Sequence, residues 1–85
     1  MFIQTETTPN PSTLKFLPGI DVLGVGSANF PSLEEARGKS PLAEALFNMG
    51  GVTQVFLGAD FISVTKDESR DWQTMKPQVL ATIMD

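Results

Sequence analysis

Two runs of β-branched and aromatic residues, Val52 to Leu57 and Phe61 to Lys66, stand only three residues apart, with Gly58-Ala59-Asp60 between them. Such side chains crowd a helix but fit a pleated surface, so both runs favour strands. A three-residue connection containing glycine forces the strands antiparallel and predicts a hairpin with a bulge. Period-two alternation sets Val55 and Leu57 on one face, with Ile62 and Val64 on the same side of the neighbouring strand. That apolar face must be covered, and the rest of the chain has to supply the cover.

Helical patterns flank the hairpin. Ser40-Pro41 joins a good N-cap to a proline at the first helical position, where the missing N–H costs nothing. Leu42, Ala45, Leu46 and Met49 then recur at helical spacing, and Gly50-Gly51 closes the helix with a left-handed residue. Just upstream, Ser32-Leu33-Glu34-Glu35 fits a capping box, but Gly38 limits that helix to one or two turns. Downstream, Trp72, Met75, Val79 and Ile83 form a stripe behind Asp71 as N-cap. Pro77 interrupts the stripe, so the helix either bends there or restarts there. Trp72 reads as a lid on the core rather than a binding residue.

The first thirty residues add strands. Phe2 to Thr8 and Leu14 to Leu17 are extended, and Thr8-Pro9-Asn10-Pro11-Ser12 joins them stiffly. Each proline fixes φ and pushes its predecessor out of the helical region. Pro18-Gly19 ends the second strand in a turn. Val22, Leu23 and Val25 offer a shorter third strand. Gly24-Val25-Gly26 lacks the further small residue of a nucleotide fingerprint, since Asn29 stands in its place. Asn10-Pro11-Ser12 has proline at the middle position and is no glycosylation acceptor. The order β-β-β-α-β-β-α predicts an α+β two-layer sandwich. Its sheet is antiparallel or mixed, of four to five strands, with two main helices on one face and a partly polar bare face.

Composition excludes whole classes of function. The 85 residues contain no Cys and no His, which removes disulfides, thiolate nucleophiles, imidazole bases and the usual ligands of zinc and iron–sulfur clusters. The remaining carboxylate pairs, Glu34-Glu35 and Asp67-Glu68, sit beside turns and read as solvated, so no catalytic residue is assigned and no enzyme is expected. Six Lys and Arg against ten Asp and Glu, a net charge of −4, argue against nucleic acid. No apolar run is long enough to span a bilayer, and the first residues show no signal-peptide pattern. The stripe running to Ile83-Met84-Asp85 without a capping glycine or polar tail leads us to expect a longer natural polypeptide.

The blocks TPNPSTLKFLPG, Ser40 to Ala43, Leu46-Phe47, Gly51-Val52, Val55 to Lys66, Asp71-Trp72, Lys76-Pro77 and Ala81 to Asp85 closely resemble the amino-terminal domain of Nfu-type (NifU-like) iron–sulfur proteins. The resemblance runs in order along nearly all of residues 1–85. It implies an accessory or interaction domain within a scaffold or carrier that assembles iron–sulfur clusters and delivers them to acceptor proteins. In that family the cluster is held by a Cys-x-x-Cys motif in a separate carboxy-terminal domain. No cofactor or metal residue is therefore carried onto this chain, and iron binding is expected in the missing domain. Acceptor or assembly proteins are the implied partners, bacterial cytoplasm or mitochondrial matrix the implied compartment, and the isolated domain is expected to be monomeric. The alternative is a free-standing protein-binding or structural module with no cluster role.

Under either reading, contact with other proteins is the work left to the chain. The rigid connection is the docking candidate: Pro9, Asn10 and Pro11 present polar and apolar groups at low ordering cost, with Lys15 and Phe16 beside them. The plainer account is that these prolines only set how the first two strands pair.

Overall fold

A computed structural model describes residues 3–19, 21–22 and 26–84 of the chain. Its elements are β1 (Gln4–Thr7), β2 (Thr13–Leu17), β3 (Ala28–Phe30), α1 (Leu33–Ala36), α2 (Pro41–Asn48), β4 (Val52–Leu57), β5 (Ile62–Lys66) and α3 (Trp72–Met84). The strands form one five-stranded sheet in the order β1-β2-β5-β4-β3, every neighbour antiparallel. This is the expected α+β architecture.

Register sorts the side chains into two faces. Thr5, Phe16, Ile62, Leu57 and Ala28 lie in one row across the sheet, and Thr7, Leu14, Val64, Val55 and Phe30 in another. Both rows face the core, where Phe16, Val55, Ile62 and Val64 meet Ala43 and Leu46 of α2 and Val79 of α3. Each fully buried side chain of this size contributes about 1.5–3 kcal/mol of transfer free energy. The row between them, Glu6, Lys15, Ser63, Phe56 and Asn29, faces away from the helices.

Helix ends follow the sequence signals. Ser32 Oγ accepts from Glu35 N at 3.4 Å and starts the single turn of α1. Ser40 Oγ, buried, accepts from Ala43 N at 3.1 Å and starts α2 with Pro41 in its first turn. At the far end of α2, Gly50 and Gly51 take φ values of 89° and 82°, a region other residues rarely adopt. Arg70 lies over them, so a Cβ on Gly51 would stand 2.9 Å from Arg70 Cγ. Asp71 starts α3: its carboxylate accepts from Gln73 N at 3.1 Å and its carbonyl from Met75 N at 2.9 Å.

Several local expectations need correction. The third strand is Ala28–Phe30, ended by Pro31, rather than a strand on Val22. Val22 instead sits at a bend with its N–H donated to Ala59 O at 2.7 Å, while Leu23 and Val25, and Gly24 of the rejected fingerprint, lie outside the described residues. Among the described residues of this stretch, Ala28, Asn29 and Phe30 pair with Leu57, Phe56 and Val55 at the sheet edge. The first strand covers Gln4–Thr7 rather than Phe2 to Thr8, with Phe2 outside the described residues. The bulge lies not at the turn but between Val52 and Gln54, while the turn closes through Gly58 N to Phe61 O at 2.9 Å. In α2 the buried residues are Ala43 and Leu46, and Ala45 is exposed. Finally, α3 continues through Pro77 as one helix. The carbonyl that Pro77 cannot reach belongs to exposed Gln73, where water can serve it.

Candidate partner-docking surface

The stiff connection between β1 and β2 is ordered by hydrogen bonds from several directions. Within it, Asn10 Oδ1 accepts from Ser12 N at 2.9 Å and Asn10 O from Thr13 N at 3.0 Å, an Asx turn on a tight backbone turn. Thr8 Oγ1 accepts from Asn10 N at 3.2 Å and stands 2.8 Å from Asn10 O and 3.0 Å from Thr13 O. From outside, Lys66 N donates to Ser12 O at 2.8 Å and Trp72 Nε1 to Pro11 O at 3.2 Å. The Thr13 and Thr65 hydroxyls meet at 2.8 Å where β2 and β5 pair. The loop is thereby tied to β5 and to the first residue of α3.

Of the five docking candidates, Pro9, Asn10 and Pro11 are exposed and contiguous. Lys15 and Phe16 do not join them on one surface. Adjacent residues of a strand point to opposite faces, and Phe16 points inward, with 0 % of its surface exposed. Its ring packs 6.2 Å from that of Trp72. Phe16 is therefore a core residue, and its place among the docking candidates is corrected. Lys15 points to the sheet face that the helices leave open. There its Nζ lies 4.4 Å from the centroid of Phe61, which stacks on Phe56 at 5.9 Å.

Two features escaped the sequence reading. One is this Lys15–Phe61–Phe56 ladder, although the alternation that sends Val55 and Leu57 inward already sends Phe56 outward. The other is Trp72. It is half-buried and packs on Phe16 as a lid should, yet it also walls a hollow of about 310 Å³ with Thr8, Pro9, Pro11 and Leu14. Only its distant contact with Pro11, sixty-one residues away in sequence, shows this.

Glu34 and Glu35 are exposed, and Glu35 reaches Lys39 at 3.9 Å. Asp67 and Glu68 are exposed at the end of β5. The Ser69 backbone N–H, then its hydroxyl, and at longer range Arg70 and Lys66 hold the Asp67 carboxyl below its ordinary value. Among the described residues no three His, Cys, Asp or Glu side chains converge to hold a metal ion, and no helix is long and apolar enough to cross a membrane.

Comparison with known proteins adds family relationships to this geometry. Residues 3–85 match the family model described as "Scaffold protein Nfu/NifU N terminal". The chain is 57% identical over 86 residues to the "NFU1 iron-sulfur cluster scaffold homolog, mitochondrial" of Drosophila ananassae. It is 51% identical over 85 residues to "NifU-like protein 4, mitochondrial" of Arabidopsis thaliana. Each alignment covers 100% of this chain and 30% of the relative, so the chain spans under a third of the length of these curated proteins. Among solved structures, a NifU-like protein from Saccharomyces cerevisiae superposes with a TM-score of 0.83 at 31% identity, covering 96% of this chain and 74% of that one. Protein SAV1430 from Staphylococcus aureus superposes with a TM-score of 0.81 at 27% identity, covering 98% and 99%.

Proposed function

From the premise that this chain belongs to the Nfu/NifU amino-terminal family, we propose that it is the interaction domain of a protein that assembles iron–sulfur clusters and delivers them to acceptors. The observation that carries the reading is the match over residues 3–85 in a chain without a single Cys or His. Such a chain has no thiolate or imidazole to offer a cluster, so in this reading the cluster sits on a Cys-x-x-Cys domain beyond it. What the domain contributes is shape: a rigid Pro9-Asn10-Pro11 rim that docks acceptor or assembly proteins. The compartment is the mitochondrial matrix, in line with the names of the curated relatives, or the bacterial cytoplasm.

A free-standing module is the second reading. The Staphylococcus aureus structure favours it, because 99% of that chain is taken up by this fold. Titrating the isotope-labelled chain with apo acceptor proteins separates the cases. Saturable amide shifts around Thr8 to Lys15 support docking by this domain, and their absence removes it. A stoichiometric iron–sulfide chromophore on the purified monomer would overturn the division of labour altogether.

A further inference from the structure

Two hollows meet across the Thr8–Ser12 connection. The first, about 310 Å³, is walled by Pro9, Pro11, Leu14 and the indole of Trp72. The second, about 400 Å³, is walled by Ser12, Lys66, Asp67 and Glu68. Asn10 lines both, so they adjoin on either side of that residue. Hollows of this size are at the small end of those that hold ligands, and they suit single side chains rather than a whole helix.

The two halves differ in character. The first is aromatic and aliphatic. Beside the second, Asp67 and Glu68 are exposed, and exposed Asp71 precedes Trp72. The nearby cations oppose these carboxylates incompletely. Arg70, whose side chain lies over Gly51, and half-buried Lys66 both act on Asp67, but they set two cations against the three carboxylates of Asp67, Glu68 and Asp71. At a net charge of −4 the chain as a whole attracts a cationic partner rather than repelling it.

We infer that this double hollow receives an extended segment of a partner protein that carries one apolar side chain next to lysine or arginine. The apolar group lies against Trp72, and the cation reaches Asp67 and Glu68. The inference rests on the interaction role proposed above and names the chemistry of the partner. Hydrogen bonds fix the loop in advance, so the segment meets a surface that needs little further ordering.

Trp72 is the only tryptophan of the chain, so its indole reports on the site directly. The test titrates the labelled chain with the capped peptide Gly-Leu-Lys-Lys and, in parallel, with Gly-Leu-Glu-Glu and Gly-Ser-Lys-Lys. The first peptide is expected to shift the Trp72 indole N–H and the amides of Asn10, Ser12 and Glu68 saturably. Raising salt from about 0.05 to about 0.5 M should weaken that binding. Glu68→Lys, a change at an exposed loop position that leaves the core intact, should weaken it about three- to fivefold. Equal response to the acidic or serine peptide overturns the inference. So does an unchanged Glu68→Lys affinity, an absent response, or shifts confined to the open sheet face. Concentration-dependent shifts at the same residues without peptide assign the hollow to a second copy and also overturn it. Acceptor-protein shifts at Thr8 to Lys15 that leave the Trp72 indole and Glu68 unmoved would sink this inference while leaving the proposed function standing.

Discussion

Gly58 is buried under the ring of Phe61, and replacing it with alanine tests whether the open sheet face is a packed structure or a loose one. A Cβ at this position would stand 2.5 Å from Phe61 Cδ1 and closer still to Cε1. The position does not need glycine's special backbone freedom, because its φ is not among the positive ones. The clash falls on a side chain that can swing away, so the domain still folds, but Phe61 must leave its place. It then gives up its stacking on Phe56 at 5.9 Å and the Lys15 ammonium at 4.4 Å. Aromatic pairing and an exposed cation–π contact together amount to about 1–2.5 kcal/mol. In a domain of this size that is a fall in Tm of about 5–15 °C. In a Phe61→Ala background the new methyl group meets no ring, so the same change is expected to be neutral or to stabilise by about 0.4–1 kcal/mol through the unfolded chain. Urea denaturation of the four proteins of this cycle gives the coupling, expected to exceed about 1 kcal/mol. Equal losses in both backgrounds, within about 0.5 kcal/mol, would refute the reasoning and place the cost in the backbone.

Two further perturbations probe the scaffold. Ser40→Ala removes the buried cap of α2 and should cost about 1 kcal/mol in chemical denaturation, whereas the exposed cap change Ser32→Ala should cost less. Asp67 has its folded pKa lowered below 3.8, so its stabilising effect is present in full above that value and is lost as pH falls through the lowered one. In Asp67→Asn the acid limb of the urea midpoint against pH below 3.8 should therefore be shallower than in the parent, with the neutral-pH midpoint reduced.

What could be read from the sequence was what depends on local periodicity. The β4–β5 hairpin, the Ser40-Pro41 start and Gly50-Gly51 end of α2, and the Asp71 start of α3 each follow from residues a few places apart. Local propensity favours a strand at Val22, which the structure places at a bend, whereas the pairing with β4 is made by Ala28–Phe30, a choice set across the sheet. The docking candidates failed at Phe16 for a different reason. Proximity in sequence put it beside Lys15, and strand alternation put it on the other face. Trp72 joins the Pro11 carbonyl only through the tertiary fold, which no window of the sequence contains.

The opening proline cluster raises the same issue in energetic form, since its order can come from the prolines or from the hydrogen bonds around them. Pro9 and Pro11 are exposed, so replacing either by alanine removes little native contact and acts mainly by freeing the unfolded chain, about 0.4–1 kcal/mol each. Thr8 is different. Its hydroxyl accepts from Asn10 N and faces the Asn10 and Thr13 carbonyls. Thr8→Val keeps the shape but leaves these groups short of a partner, at a cost of about 1–2 kcal/mol in a part-buried site. Stability alone barely separates the two cases, but amide exchange does. An effect through the unfolded state leaves the relative protection of Asn10, Ser12 and Thr13 in the native state unchanged, whereas loss of the hydroxyl opens them locally. Faster local exchange is therefore expected in Thr8→Val and not in Pro9→Ala or Pro11→Ala. The reverse pattern would mean that the prolines alone hold the rim in shape. A partner would then meet a loop ordered by its covalent chain rather than by its ties to β5 and Trp72.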